Sequence, residues 1–230
     1  MEACMPRMPV LLLGLLLGWL TACAHVGMPS EAQVAFDHGL RLFQHGQYAE
    51  AIPRFQEATQ LDPQFGQAYL YLGRSYLNLG QWGNAIPVLR TAFRLAPAAS
   101  QHEVTQLLLD ALVGGATAAL KTGGFHEAVG LLQEALGLAP HAQHLLPPLV
   151  EALLGWGGQL LAQGHLRDAI GAFTEATQLA PQRVDAYVGL ARALWHQGAL
   201  FQALAAVQTA LRLAPNNSTV RALLHQVQGR

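Results

Sequence analysis

Five segments of this 230-residue chain end alike: Gln60-Leu61-Asp62-Pro63, Arg94-Leu95-Ala96-Pro97, Gly137-Leu138-Ala139-Pro140, Gln178-Leu179-Ala180-Pro181 and Arg212-Leu213-Ala214-Pro215. Each Pro stands 17 residues after a Gly, at Gly46, Gly80, Gly123, Gly164 and Gly198. Five residues after each Gly comes an Ala (Ala51, Ala85, Ala128, Ala169, Ala203), and seven later another (Ala58, Ala92, Ala135, Ala176, Ala210). Such self-similarity constrains a fold more tightly than composition does. Each unit is one supersecondary piece that cannot bury its apolar face alone, so neighbours must stack. The marks read as two antiparallel helices per unit. Gly closes the first helix in a left-handed conformation. Pro ends the second, because it lacks an N–H and its predecessor avoids the α region.

Successive Ala marks are 34, 43, 41 and 34 residues apart. Counting Ala32 as position 1, position 8 is small in every unit (Gly39, Gly73, Ala116, Gly157, Ala191). Position 17 is large and apolar (Tyr48, Trp82, Phe125, Leu166, Leu200), and position 24 is apolar (Phe55, Leu89, Leu132, Phe173, Val207). With a 34-residue period, this pattern resembles the tetratricopeptide repeat family over residues 32–217. The resemblance implies an all-α superhelical solenoid of five helix-turn-helix repeats, at 31–65, 66–99, 100–142, 143–183 and 184–217. A capping helix at 218–230 covers the last repeat. Ser30 and Gln33 form a capping-box pattern for the first helix, and Asn217 or Ser218 caps the last.

Two spacings depart from 34. Nine extra residues near 100–108 keep a helical pattern (Val104, Leu107, Leu108), which predicts a longer first helix in unit 3. Seven near 143–149 include Pro147-Pro148, which predicts a short turn or separate helical turn. Gly114, Gly115, Gly155, Gly157 and Gly158 weaken the first helices of units 3 and 4, each interior Gly costing about 1 kcal/mol against Ala. They are hinge candidates or plain loose spots.

Residues 1–22 read as a signal peptide. The apolar run Val10–Leu20 follows Arg7 and precedes small residues, although Met8 to Met28 is also long enough to span a membrane. Leu20-Thr21-Ala22-Cys23 resembles the lipobox of bacterial lipoproteins, which implies acylation at Cys23 and a tether at 23–30. Several acyl chains anchor firmly at about 0.8 kcal/mol per buried CH₂. Ala24, where a retained inner-membrane lipoprotein has Asp, points to the periplasmic face of the outer membrane. From Cys23 to Glu31 the tether reaches at most about 28 Å at ~3.5 Å per residue.

The remaining residues carry little chemistry. Net charge is −1 and charged residues are 12% of the chain. No basic footprint for nucleic acid follows. The only Cys are Cys4 and Cys23, so neither a disulfide framework nor a Cys-rich metal site is implied. His141 and His144 are two exposed linker residues, and His38 is a partly buried core His. There is no HExxH, Walker loop or Gly-x-Ser-x-Gly elbow. We expect no catalytic residues, no metal and no cofactor.

In the family it resembles, the first helices line a concave groove. By position, that groove here comprises Phe36, Leu70, Val113, Leu154 and Val188; Phe43, Leu77, Leu120, Leu161 and Trp195; and Arg74 and Arg192. Always apolar at position 5 and never Asn at position 9, it does not match the family's carboxylate clamp. It suits an apolar partner segment, unless the long third-unit helix or the C-terminal helix fills it from within. The leading expectation is a membrane-anchored protein–protein interaction scaffold for a bacterial cell-envelope complex, in outer-membrane protein insertion, pilus or secretion assembly, or polysaccharide export. The alternatives are a chaperone-like or cargo-holding module, or a non-catalytic regulator of a murein enzyme or protease.

Overall fold

Among the described residues the backbone turns left-handed at five glycines: φ is 75° at Gly46, 67° at Gly80, 77° at Gly123, 79° at Gly164 and 85° at Gly198. These are the glycines of the repeat marks, and each separates two helices. The computed structural model describes residues 29–229. It contains, in order, α1 (Glu31–Gln44), α2 (Tyr48–Leu61), α3 (Gly66–Asn78), α4 (Trp82–Leu95), α5 (Gln101–Thr122), α6 (Phe125–Leu138), α7 (Leu146–Ala162), α8 (Leu166–Leu179), α9 (Val184–Gln197), α10 (Leu200–Leu213) and α11 (Ser218–Gln228). No strand occurs among the described residues. The signal peptide and the lipobox at Cys23 lie outside them.

Consecutive helices pack as antiparallel neighbours along the whole array. The ten Ala marks are why they can approach so closely: each is at most 1% exposed. Against them pack the position-24 residues Phe55, Leu89, Leu132, Phe173 and Val207, all buried. The backbones of first helices in successive units also meet, α1 with α3, α3 with α5 and α7 with α9, whereas those of consecutive second helices do not approach as closely. The side on which neighbours converge is the inside of the curve, so the first helices form the inner layer.

Both long spacings have the expected outcome. The nine added residues lengthen α5 to 22 residues, with Val104 and Leu108 buried. Of the seven, Gln143–Leu145 form a 3₁₀ turn pinned by buried Leu145, and the other four begin α7. Pro147 and Pro148 fall just inside the first turn of α7, where a missing N–H costs nothing. The sequence from Gln143 to Ala162, like α5, is long and apolar enough to cross a bilayer. Both are nonetheless built into the solenoid core through residues such as Leu112 and Leu153.

The ends are capped by side chains. Ser30 Oγ accepts from the Gln33 N–H at 3.1 Å. The Gln33 side chain donates to Asp37 rather than back to Ser30, so only half of the capping box forms. Asn217 Oδ1 accepts from the N–H groups of Thr219 and Val220, and Val220, Leu223 and Val227 of α11 are buried.

Two sequence expectations are corrected. His38 is exposed, not a core residue, because among the described residues no helix packs over that side of α1. Its neighbour Val34 is exposed for the same reason. The glycines of units 3 and 4 are mainly seats for aromatic rings rather than hinges. A Cβ at Gly114 would lie 2.6 Å from the Trp82 ring, and one at Gly155 would lie 2.4 Å from Phe125. Gly157 takes Phe173, and Gly115 faces Ile86 and Leu131. Of these five first-helix glycines, Gly158 alone has open space around its Cβ position.

Candidate functional site

The inner layer is apolar, but not equally open along its length. In unit 1 the predicted groove residues Phe36 and Phe43 belong to an aromatic cluster. Phe36 packs against Phe55, Phe65 and Tyr71, with ring centroids 4.9–5.7 Å apart. Phe43 packs edge-on against Tyr48 and Tyr71 at 5.1 and 5.3 Å. Such pairs gain beyond their buried area. Phe36 is buried and Phe43 half-buried, so unit 1 largely fills its own share of the groove.

The opening lies one unit on, between α3 and α5. A recess of about 510 Å³ is lined by Leu70, Tyr71, Arg74, Leu95, Glu103 and Val104, among others. A second, of about 340 Å³, is lined by Arg74, Leu77, Asn78, Trp82, Leu107 and Asp110. Arg74 lines both. Three predicted residues, Leu70, Arg74 and Leu77, are thus brought together, with Leu70 mostly buried as wall.

Arg74 is held from three sides. Its Nη1 donates to Glu103 Oε1 at 3.2 Å. Its guanidinium carbon stands 5.6 Å from the Phe43 ring centroid and 5.2 Å from that of Tyr71. Cation–π geometry of this kind is worth about 0.5–1 kcal/mol at exposed sites. Glu103 comes from the extension of α5, so the added residues supply the partner that fixes the arginine. Asp110, on the rim of the smaller recess, makes no ion pair among the described residues.

Farther along, Val113 and Leu120 are half-buried against the main core, and Leu154 and Leu161 against Phe173 and its neighbours. Val188 and Trp195 pack on the last unit's core, with the Trp195 and His196 rings 4.7 Å apart. Arg192 is exposed. The acidic residues at position 2 of units 4 and 5 are engaged by Arg183, at 2.7 Å to Glu151 and 3.4 Å to Asp185. Donating to Glu151 first, and then to Asp185, holds that guanidinium above its ordinary range. These predicted residues lie along the first helices of units 3 to 5, outside the recesses that meet at Arg74.

Sequence reasoning omitted Tyr71, Trp82, Glu103 and Leu107 from the groove. Glu103 and Leu107 lie in the nine-residue addition, whose helical pattern was the available signal. No His, Cys, Asp or Glu cluster suited to a metal ion occurs among the described residues.

An α-helical repeat solenoid with a recessed apolar inner face is a class of interaction proteins. Residues 36–100 and 160–227 each match a tetratricopeptide repeat family model, together more than half of the chain. The chain belongs to the tetratricopeptide repeat family, whose fold supports a protein–protein interaction module. Among solved structures it is similar to a TPR repeats protein of Bacteroides fragilis at 15% identity, covering 87% of this chain and 99% of that one with a TM-score of 0.51. A thermophilic TPR protein of Thermus thermophilus aligns at 22% identity over 86% of this chain and 100% of that one, with a TM-score of 0.36. No curated protein matches in sequence.

Proposed function

We propose that this protein is a non-catalytic, membrane-anchored scaffold that helps assemble a bacterial cell-envelope complex, gripping an apolar segment of a partner protein along its inner face. The observation that carries the reading is the pair of recesses meeting at Arg74, built from residues that the repeat positions assign to a groove. Their walls combine aliphatic and aromatic side chains with Gln64, Gln67, Ser100 and Glu103 in the larger recess and Asn78 and Asp110 in the smaller, a lining that seats a partner's apolar side chains and hydrogen-bonds its polar atoms. The lipobox-like Leu20-Thr21-Ala22-Cys23 supports anchoring at the outer membrane, facing the periplasm. The Arg74–Glu103 pair is neutral and Asp110 leaves the two recesses one net negative charge, so affinity comes from apolar burial and the polar atoms set register.

A photoreactive amino acid at exposed Asn78, which borders the smaller recess, tests the groove. One dominant envelope protein in the adducts is the expected result. A spread of unrelated clients favours a holding role, and no adduct sinks the groove reading. Cys23→Ser tests the anchor separately: the protein should leave the membrane fraction, and retention there overturns it.

A further inference from the structure

Two of the four seams between consecutive second helices carry the same bridge. Arg90 on α4 donates to both carboxylate oxygens of Glu134 on α6. Gln133 on α6 donates to Glu175 on α8 at 2.8 Å. Both bridges join the same two register positions, the residue after position 24 in one unit and the residue following it in the next. Between α8 and α10 those positions hold Thr174 and Thr209, which are too short to bridge, and there the seam is open. A recess of about 510 Å³ runs along it, with Ile170, Tyr187, Leu190 and Leu194 as apolar walls and both threonines in its lining. Its remaining polar residues are Gln197 and Gln202, so no charged side chain lines it.

Beside this hollow stands Phe201, 91% exposed. It is one turn before Ala205, which lines the recess, so ring and hollow share a face of α10. We propose that this face pairs with the same face of a second copy of the chain, each Phe201 ring seating in the other copy's α8–α10 seam. A two-fold contact sets a patch against itself. A ring, a hollow and an amide-and-hydroxyl rim complement themselves, and the flanking charge of Arg212, which donates to Thr209 Oγ1 at 3.1 Å, falls opposite the partner's Gly198 rather than its own like in an antiparallel crossing at Ala205. Depletion of charge around an aromatic anchor is also what the centres of protein interfaces show. Two α10 helices crossing antiparallel at exposed Ala205 would place Phe201 opposite the partner's Thr209, at the hollow. Gln202 would then fall opposite the partner's Gln208, amide to amide. The small Ala205 side chain permits the close crossing.

The test uses the full chain in cells with a photoreactive amino acid at exposed Gln208. The expected adduct has twice the chain mass and contains peptides of this chain alone. Phe201→Glu should reduce it roughly tenfold or more, as for loss of an aromatic hot spot. Independently, Thr174→Arg with Thr209→Glu rebuilds the bridge, closes the seam and should reduce the adduct similarly with Phe201 in place. Absence of a homodimeric adduct, an adduct with a different protein, or a homodimer that survives Phe201→Glu would each overturn the proposal. The probe sits on the outer layer, so failure here leaves the groove result at Asn78 standing, and the reverse.

Discussion

Phe173 shows how single residues set this fold. Its ring lies between two glycines, Gly157 of its own unit and Gly189 of the next, whose Cβ positions would fall 2.9 and 2.3 Å from ring atoms. The ring is 4% exposed, so it cannot swing away from one helix without striking another. Gly189→Ala gains helix propensity of about 1 kcal/mol at most. Overpacking a buried ring costs about 1–3 kcal/mol, so the net effect is destabilising. Gly171→Ala is the control, with nothing within 4 Å of its Cβ position on α8. There the propensity gain of roughly 0.5–1 kcal/mol stands alone. Thermal melts of the two variants should move in opposite directions, and a higher melting temperature for Gly189→Ala would refute the clamp.

At the scale of elements, end chemistry and insertions decide where helices begin and how far they run. Asn217 caps α11 with two backbone N–H groups, and α11 covers the last unit through Val220, Leu223 and Val227. Asn217→Ala should cost about 0.5–2 kcal/mol, read as a lower denaturant midpoint, and Asn217→Ser should restore most of it. The Arg90–Glu134 bridge is solvent-exposed, so Arg90→Ala should change stability by no more than about 1 kcal/mol, less at high salt. The Glu134 hydrogen bonds raise the Arg90 guanidinium above its ordinary range. A raised base contributes below its unfolded value and loses that contribution only through its folded one, and both lie beyond neutral pH. The contribution should therefore be flat in urea titrations at pH 6 and pH 8. Helix number, helix order and the longer α5 were legible in the Gly, Ala and Pro marks, because each mark is a local backbone requirement. Other features were not. Pro53 and Pro87 lie inside α2 and α4, which continue because packing on the Ala marks outweighs the missing bond. The seats at Gly114 and Gly155 depend on rings from the preceding unit, a pairing that repeat position alone does not reveal. The groove was legible as a row of positions, but not as an opening confined to α3 and α5. That depends on the aromatic filling of unit 1 and on Glu103 from the extension.

For the whole molecule, the buried residues divide unevenly. One cluster runs from Ala35 through Leu153 to Ala186. A second holds Ala191, Leu194, Val207 and the inner face of α11. Between them lies a small cluster of Leu160, Ala169, Phe173 and Ala193. In a solenoid, stability is a sum of unit terms and nearest-neighbour interfaces, so an interface that holds a terminal unit to its only neighbouring unit is the one that opens first. This one also lacks the polar bridge that links α4 to α6 and α6 to α8. Native-state hydrogen exchange should therefore show α9, α10 and α11 opening together, at lower free energy than α3 through α6. Gly189→Ala strains that interface directly. It should lower the opening free energy of α9–α11 by about 1–3 kcal/mol and leave the protection of α3–α6 unchanged. Uniform loss of protection across all eleven helices would mean instead that the array unfolds as one cooperative body, with the Phe173 clamp strong enough to join its two cores.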